Sequence, residues 1–363
     1  MARVHLIAAA RPNFMKVAPL WHALSVEDDF TPVLIHTGQH YDANMSDSFF
    51  DELGLPTPDH HLGVGGGTHA EQTGRVMIAY EAVAMADRPD WLIVVGDVNS
   101  TVAATLAGAK LGIKVVHLEA GLRSRDRTMP EELNRLATDV LADALWTPSP
   151  DADDNLRGEG IPEDRITRVG NIMLDSYELV RPRIAAENAP AAFGLDGRDY
   201  AVATLHRPSN VDSAAALSAL VAALEAVQAR MPIVFPVHPR TRASLTSFGF
   251  QPRLEAAGVR LTEPMPYIRF MSLVSNAAAV ITDSGGVQEE TTYLGIPCLT
   301  LRENTERPIT VTEGTNRLVR ADTLAEELGR ALADRKSPAR PDLWDGRTAA
   351  RCVADLRRRT AVR

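Results

Sequence analysis

Three acidic residues stand at positions where parallel strands and the helices after them would bring carboxylates to one edge of a sheet. Asp97 follows the apolar run Leu92–Val95, and Glu119 follows a second run, Val115–Leu118. Short β-branched runs of this kind are typical of buried parallel strands. Glu131 begins the next helical segment. Because ligands of open α/β sheets bind beyond the carboxyl ends of the strands, the pattern predicts that the three carboxylates share one site.

Glu131 also has an ordinary structural explanation. Pro130 stands at the first position of the predicted helix, where Glu131 and Glu132 would complement the helix dipole. Arg135 lies four residues after Glu131, so the two would share a helix face and form a surface ion pair. The same helix carries an apolar stripe that the pattern predicts to be buried. Its residues are Leu133, Leu136, Ala137, Val140 and Leu141.

The first strand–helix connection carries cations in place of a dinucleotide fingerprint. The predicted strand Val4–Ala10 leads to Arg11 and Lys16, and the turn lacks the pattern G-x-G-x-x-G. Both residues could be solvated charges, but cations beside a helix N-terminus oppose the helix dipole. An anionic ligand would explain them. After the predicted strand Pro32–Thr37, the polar loop that contains Gln39 is a further candidate, because such loops often carry function.

Two strands in the second half of the chain end in histidine. The predicted strand Tyr200–Leu205 leads to His206 and Arg207, and the strand Ile233–Val237 leads to His238. Each histidine could be a satisfied polar group at a strand end. Two such ends in adjacent strands are at least as consistent with a wall that faces phosphate.

A glycine-containing helix start in the second half has the features of a diphosphate site. Ser284, Gly285 and Gly286 follow a predicted strand that ends at Thr282. Ser284 can cap the helix, and the glycines let a ligand approach backbone amides at its positive end. Glu290, farther along, could accept a hydrogen bond from a sugar or ribose hydroxyl, or it could be a helix-surface acid.

Length and composition limit the class of protein. The 363 residues predict two α/β domains, each Rossmann-like and doubly wound, over residues 1–170 and 171–345, with a C-terminal helix at 346–363 that completes the first. The net charge of −9 argues against a general nucleic-acid binder, and no apolar run is long enough to span a membrane. Cys298 and Cys352 have no metal-site spacing and suit a reducing cytoplasm, each as a buried small hydrophobe.

The sequence resembles the non-hydrolysing bacterial UDP-N-acetylglucosamine 2-epimerases over almost its whole length. The resemblance rests on motifs in family order: RPNFMKVAPL, TGQH, GDVNST, HLEAGLRS, PEELNR, VGN, TLHRPSNVD, PVHPR, TDSGGVQEE and RENTERP. It implies two Rossmann-like domains that face a central cleft, as in GT-B-type glycosyltransferases. It also implies interconversion of UDP-GlcNAc and UDP-ManNAc, with no nicotinamide cofactor, no required metal and a homodimeric assembly.

The resemblance assigns roles to particular residues. The catalytic group corresponds to Asp97, Glu119, Glu131 and His206. Contacts to substrate and nucleotide correspond to Arg11, Lys16, Arg135, Ser284, Gly286, Glu290 and Arg307, and we add Gln39, His238 and Gly285 as predicted substrate-binding residues. The implied reaction eliminates UDP to give a 2-acetamidoglucal and then adds UDP back, so it needs an acid or base on each face of the sugar.

Alternatives remain at the level of sequence. The segment Pro208-Ser209-Asn210 stands where many relatives have Arg-Glu-Asn, and Gly65-Gly66-Gly67-Thr68-His69 stands where many have a glutamine before the helix. In some relatives the latter region and the TGQH loop hold a second, activating UDP-GlcNAc, so allosteric activation and the sugar substituents accepted stay open. A hydrolysing relative would release UDP and ManNAc, and a related epimerase would act on another UDP-2-acetamido sugar. A glycosyltransferase of the same fold would need an acceptor. A non-enzymatic nucleotide-sugar binder would not need three carboxylates in one site.

Overall fold

The computed structural model describes residues 1–9, 11–38, 50–334 and 340–361 of the chain. These residues divide into two compact units. The first consists of Met1–Leu179 and Asp342–Arg363, and the second of Val180–Pro341. The first boundary follows Leu179, within the helix Ile172–Glu187 and later than the predicted 170, and the second follows Pro341, earlier than the predicted 345.

The first unit is built on a seven-stranded parallel sheet. Its strands are β1 (Ala2–Ala8), β2 (Phe30–His36), β3 (His60–His61), β4 (Trp91–Val95), β5 (Lys114–Leu118), β6 (Ala144–Thr147) and β7 (Ile166–Arg168). Their order is β3-β2-β1-β4-β5-β6-β7. The register pairs Val95 with Leu118, so β4 and β5 end side by side. Asp97 and Glu119 therefore follow adjacent strand ends, as the sequence predicts.

Helices connect these strands. They are α1 (Arg11–Ser25), α2 (His69–Ala86), α3 (Asn99–Lys110), α4 (Pro130–Leu141), α5 (Pro150–Gly158) and α6 (Ile172–Glu187). Helix α1 begins at Arg11, six residues before the predicted start at Val17, because a proline in the first helical turn removes no intrahelical hydrogen bond. Lys16 consequently lies within α1 and not in the connection before it.

The second unit is built on a six-stranded parallel sheet. Its strands are β8 (Ala201–Thr204), β9 (Ile233–Pro236), β10 (Arg260–Thr262), β11 (Ala279–Thr282), β12 (Cys298–Thr300) and β13 (Asn316–Leu318). Their order is β10-β9-β8-β11-β12-β13. The helices are α7 (Pro208–Val211), α8 (Ala214–Gln228), α9 (Pro239–Ser247), α10 (Gln251–Ala256), α11 (Tyr267–Ser275), α12 (Gly285–Leu294), α13 (Ile309–Thr312) and α14 (Leu324–Ala333).

Each sheet has a point where the strand order reverses. In the first unit this point lies between β1 and β4, and in the second unit between β8 and β11. Ligands of doubly wound sheets bind at such points, beyond the strand ends. Lys16 and Asp97 follow the first pair of strands, and His206 and Ser284 follow the second.

The last helix, α15 (Thr348–Ala361), belongs to the first unit. Asp175 accepts hydrogen bonds from the amides of Thr348 and Ala349 at 3.1 and 2.8 Å, which satisfies two donors at the start of this helix. Asp355 accepts a hydrogen bond from the Trp146 indole at 2.8 Å. Throughout the described part of the chain, no helix combines the length and the apolar character that crossing a bilayer requires. Both cysteines are buried and free of disulfides.

Candidate active site

Asp97 occupies the turn between β4 and α3. Its side chain is 34% exposed, and the Arg135 guanidinium pairs with its carboxylate. The Asn134 amide donates a hydrogen bond of 2.9 Å to the Asp97 carbonyl oxygen. Two neighbouring residues of α4 therefore hold both the backbone and the side chain of Asp97.

Glu119 follows β5 with a left-handed backbone, at a φ of 71°. This conformation is uncommon for a residue with a side chain and persists where the surroundings enforce it. Here the amides of Glu119 and Ala120 both donate to the Trp146 carbonyl oxygen, at 3.0 and 3.1 Å. The buried Glu119 carboxylate pairs with the Lys16 ammonium group, which is also buried.

Gly96 allows the two strand ends to approach this ion pair closely. A Cβ atom built on Gly96 would lie 3.3 Å from both Glu119 Oε2 and Lys16 Nζ. The Asn13 side-chain amide also donates a hydrogen bond of 3.0 Å to the carbonyl oxygen of Val95, which connects α1 to the end of β4. Lys16, Gly96 and Glu119 therefore meet at the point where the order of the first sheet reverses.

Two predictions made from the sequence of helix α4 are wrong. Arg135 does not pair with Glu131. Its guanidinium donates to Glu132 Oε2 at 2.7 and 3.2 Å and also binds Asp97, while Glu131 is exposed. The predicted apolar stripe is not buried either, since Leu133 is 43% and Val140 62% exposed.

The reason for this reversal is the surface that α4 covers. Its inner face packs on the loop after Glu119, whose amides need acceptors. Glu132 accepts from the Ser124 amide at 2.9 Å and from the Arg125 amide at 3.0 Å. Burial raises the pKa of Glu132, but these hydrogen bonds and Arg135 outweigh it and hold the pKa below its ordinary value. A buried polar face on α4 is therefore required by the loop.

In the second unit, Asp283 organises the loop after β8. This fully buried carboxylate accepts hydrogen bonds from the amides of His206 and Arg207 and from the Asn210 side chain, at 2.9–3.1 Å. Its Oδ1 lies 3.1 Å from His206 Nδ1. Burial raises the pKa of Asp283, but the bond with His206 and the donors around it hold the pKa below the ordinary value. His206 Nδ1 is thereby fixed as a donor, and Nε2 lies on the other side of a ring that is 39% exposed.

His238 lies near His206, with 5.3 Å between their ring centroids. The sequence predicted that both strand ends contribute to one wall, and the structure brings the two rings together. The N-cap of α9 is His238, whose Nδ1 accepts from the Arg240 amide at 3.2 Å. Its structural role and its proposed contact with phosphate are compatible, because the other ring nitrogen faces away from that amide.

The start of α12 combines backbone amides with a cation. Ser284 stands at the N-cap, but its side chain makes no capping hydrogen bond, which differs from the expectation. A Cβ atom on Gly285 would lie 2.6 Å from Arg307 Nη1, so the guanidinium lies directly over the first turn. Gly286 continues that turn. A helix N-terminus beside a guanidinium is well suited to a diphosphate.

Arg302, which the sequence analysis did not single out, lies with Arg207 and Arg307 around one carboxylate near this helix start. Arg302 forms a bidentate pair with Glu306 at 2.8 and 2.9 Å, and Arg207 and Arg307 each lie 3.7 Å from the same carboxylate. Burial raises the pKa of Glu306, but Arg302 and Arg307 hold it far below its ordinary value. Glu289 pairs with Arg307 at 2.9 Å. Three arginines thus converge near the helix start, where they pair with the carboxylates of Glu306 and Glu289.

Glu290 is not a helix-surface acid. It is buried, and the Tyr267 hydroxyl donates a hydrogen bond of 2.8 Å to its Oε1.

Among the remaining predicted residues, Arg11 is the first residue of α1. Gln39 lies outside the described residues. Within the described part of the chain, no group of three or more His, Cys, Asp or Glu side chains could hold a metal ion.

Comparison with known proteins gives one consistent family. The family model described as UDP-N-acetylglucosamine 2-epimerase matches residues 22–357. A Methanococcus maripaludis UDP-N-acetylglucosamine 2-epimerase is 41% identical over 329 residues, which cover 89% of each chain. A Pseudomonas aeruginosa UDP-2,3-diacetamido-2,3-dideoxy-D-glucuronate 2-epimerase is 40% identical over 342 residues, covering 92% of this chain and 94% of the relative.

Solved structures agree in fold. The crystal structure of Methanocaldococcus jannaschii UDP-GlcNAc 2-epimerase in complex with UDP-GlcNAc and UDP has a TM-score of 0.88 and 39% identity. The match covers 98% of this chain and 99% of that one. The predicted class, two Rossmann-like α/β domains of the GT-B type, is confirmed. The chain therefore belongs to the UDP-N-acetylglucosamine 2-epimerase family.

Proposed function

We propose that this chain interconverts UDP-GlcNAc and UDP-ManNAc without net hydrolysis. The observation that carries the proposal is the pair of acids at adjacent strand ends. Glu119 is buried against Lys16, whereas Asp97 is one-third exposed and held by Arg135. Two carboxylates in different environments, at a point where doubly wound sheets bind ligands, suit the two proton transfers of an epimerisation.

The chemistry explains why more than one acid or base is needed. The C2 proton of UDP-GlcNAc has no adjacent ketone, so its direct removal is unfavourable. If a base removes that proton while the C1–O bond breaks, UDP leaves and a C1=C2 double bond forms, giving 2-acetamidoglucal. UDP oxygen then re-forms the bond to C1, and an acid delivers a proton to the opposite face of C2. Asp97, Glu119, Glu131 and His206 are the proposed acid–base group.

Residues of the second unit would bind the UDP. Backbone amides at Gly285 and Gly286 and the Arg307 guanidinium are suited to the diphosphate, whose negative charge grows as the C1–O bond breaks. Glu290 offers an acceptor to a hydroxyl group, and Ser284 and His238 offer further polar contacts. In the first unit, Arg11, Lys16, Gln39 and Arg135 are the proposed substrate contacts.

A related UDP-2-acetamido sugar is the second candidate substrate. The observation that favours it is the Pseudomonas aeruginosa relative, which acts on a diacetamido glucuronate and is about as similar to this chain as the UDP-GlcNAc 2-epimerases are. Both substrates share the UDP, the 2-acetamido group and the reacting C2 centre. Parallel assays with the two nucleotide sugars would rank them by kcat/KM.

Incubation with UDP-GlcNAc in D₂O, followed by proton NMR, tests the proposed reaction. We expect a mixture of UDP-GlcNAc and UDP-ManNAc in which C2 carries deuterium. Free ManNAc as the main product would identify a hydrolysing enzyme. A requirement for an acceptor would identify a glycosyltransferase, and recovery of substrate without deuterium would leave only a binding protein.

Substitutions test the roles of the two acids. Asp97→Asn and Glu119→Gln should each lower kcat by about 10²-fold or more, as expected for the loss of acid–base catalysis. Asp90→Asn is the matched control, because Asp90 precedes the same strand at its opposite end and accepts from the Arg3 amide. Normal rates in both active-site variants would overturn the assignment. Glu131→Gln decides whether this exposed residue belongs to the group.

We also infer that the chain forms a homodimer. The support is the outward apolar face of α4, which includes Leu133 and Val140. An apolar helix face of this kind is often covered by a partner. Light scattering should give twice the chain mass of 39.4 kDa. A monomeric mass, or an unchanged dimer after Val140→Glu, would contradict this use of α4.

A further inference from the structure

His117 is a completely buried histidine in β5, two residues before Glu119. Its Nδ1 lies 2.6 Å from Asp139 Oδ1, and its Nε2 lies 2.8 Å from the carbonyl oxygen of Gly96. In the sequence it looks like one residue of an apolar strand, and no contact of this kind can be inferred from its position. Both of its ring nitrogens are used inside the protein.

The partners of His117 determine its charge. A carbonyl oxygen can only accept a hydrogen bond, so Nε2 must carry a proton. Asp139 accepts from Arg123 Nη2 at 2.7 Å and from the Gly121 amide at 3.2 Å through its other oxygen. Burial raises the pKa of Asp139, but His117 and Arg123 outweigh it and hold the pKa below the ordinary value. Because Asp139 is ionised, Nδ1 must also donate, and the ring is an imidazolium.

The charges around His117 balance. Arg123 also forms a bidentate pair with Glu159, at 2.8 and 2.7 Å. His117 and Arg123 supply two positive charges, and Asp139 and Glu159 supply two negative charges. A buried charge is tolerated where it is paired and fully hydrogen-bonded, as it is in this cluster.

This cluster contacts the backbone beside both proposed acids. The Gly96 carbonyl belongs to the peptide that leads into Asp97, and it faces His117 Nε2. The Gly121 amide, two residues after Glu119, faces Asp139. Gly121 has a φ of 81°, and a Cβ atom there would lie 2.5 Å from the Ala152 carbonyl oxygen, so this turn has little freedom to move. One ion cluster therefore fixes the turns that carry Asp97 and Glu119.

We propose that His117 is a positioning residue, an imidazolium that together with Asp139 sets the relative placement of Asp97 and Glu119. The inference rests on the proposed epimerisation, because it assigns His117 a task in that reaction. His117 does not contact the substrate itself. Small displacements of catalytic groups have large effects on rate, and a shift of 1 Å can lower it by about 10²-fold.

The first experiment compares two buried histidines of the same sheet. His117→Gln removes the charge and one of the two donors. His5→Gln is the matched control, because His5 is equally buried in β1 and its Nδ1 lies 3.3 Å from the Tyr80 hydroxyl. Burial lowers the pKa of His5 to about 4, so this ring is neutral at pH 7.

His117→Gln should lower kcat for UDP-GlcNAc by about 10- to 100-fold and change KM less than about threefold, since positioning acts on the reacting groups. His5→Gln should keep kcat within about twofold, even if both variants lose similar stability. A proportionate loss in both variants would mean that His117 is only structural. Normal kcat in His117→Gln would also overturn the inference.

The second experiment uses the unchanged protein and no substrate. Nitrogen-15 NMR of labelled histidine should show both ring nitrogens of His117 protonated, with the signal assigned in the unchanged protein by correlation to the His117 backbone. A neutral ring would overturn the inference even if the variant fails to fold. If the unchanged protein does not turn over UDP-GlcNAc, both the proposed function and this role are wrong. If it does, and His117→Gln is equally active, only this role is wrong.

Discussion

Each unit contains a histidine paired with a buried aspartate, His117 within β5 and His206 just after β8, yet the two pairs differ in what the second ring nitrogen contacts. His117 is fully buried, and its second nitrogen is bound by the Gly96 carbonyl. His206 is 39% exposed, and only its Nδ1 faces the aspartate. The same two residue types thus fix a backbone turn in the first unit and present a ring nitrogen in the second. Exposure of the second nitrogen, and not the pair itself, separates a positioning histidine from a candidate catalytic one.

The two aspartates also differ in what they hold. Asp139 reaches from α4 and binds side chains, the His117 ring and the Arg123 guanidinium. Asp283 stands at the end of β11 and binds mainly amides of the loop that contains His206. Loss of Asp139 leaves two buried cations without their shared partner. Loss of Asp283 leaves amide donors, which water can reach more easily beside an exposed histidine.

The largest effect should come from Asp139→Ala. Removing one partner from a buried ion cluster costs about 3–5 kcal/mol of unfolding free energy. All four tryptophans, Trp21, Trp91, Trp146 and Trp344, belong to the first unit, so urea unfolding followed by tryptophan fluorescence reports on that unit. Asp126→Ala, on the nearby exposed turn, is the control and should change little. A loss below about 1 kcal/mol for Asp139→Ala would mean that the cluster is not a charged one.

The next effect concerns rate and not stability. His206→Gln should lower kcat by about 10²-fold or more if the ring transfers a proton, whereas a partly exposed side chain contributes less than about 1 kcal/mol to unfolding. His117→Gln should instead change both quantities. Steady-state kinetics and urea unfolding of the two variants, measured together, check this contrast. Equal loss of stability in both would remove the distinction between the pairs.

The positions of the acids could be predicted from the sequence, but their partners could not. The runs before Asp97 and Glu119 are β4 and β5, and their adjacent ends follow from the parallel arrangement. The partners of those acids come from distant segments. Lys16 belongs to α1, which begins earlier than the pattern suggested, and Arg135 and Glu132 lie on the face of α4 that was expected to be exposed.

Helix α4 shows why the pattern failed at this point. Hydrophobic periodicity predicts the buried face only where a helix packs on apolar surface. Here the helix covers a loop with unsatisfied amides, so its inner face is Glu132, Arg135, Thr138 and Asp139. The role of His117 could not be predicted for a related reason, since a single polar residue in an apolar strand does not indicate which groups it contacts. The available signal was that PEELNR places charged residues at i and i+3, the spacing of the inner face.

Acid pH should weaken both pairs. The pKa values of Asp139 and Asp283 lie below the ordinary value of 3.8, because nearby histidines and other donors outweigh the effect of burial. Their stabilising contribution is therefore complete above about pH 4 and is lost as the pH falls through the folded-state values. Urea midpoints between about pH 7 and about pH 3 should fall less steeply for Asp139→Asn and Asp283→Asn than for the unchanged protein. Parallel curves would show that these aspartates do not titrate on unfolding.

The smallest effect should come from Gly285→Ala. This substitution compares the helix start beside Arg307 in the second unit with the more rigid ion cluster around His117 in the first. The new methyl group would lie 2.6 Å from Arg307 Nη1, the far end of a flexible side chain, so the guanidinium would have to move away from the first turn. The loss of one charge-assisted contact to the diphosphate should raise KM for UDP-GlcNAc by about tenfold, which corresponds to roughly 1.5 kcal/mol. Gly74→Ala, inside α2 with no atom within 4 Å, is the control and should leave KM unchanged while adding up to about 1 kcal/mol of stability. An unchanged KM in Gly285→Ala would mean that Arg307 is held by Glu289 for structural reasons alone, and the diphosphate would then need another cation.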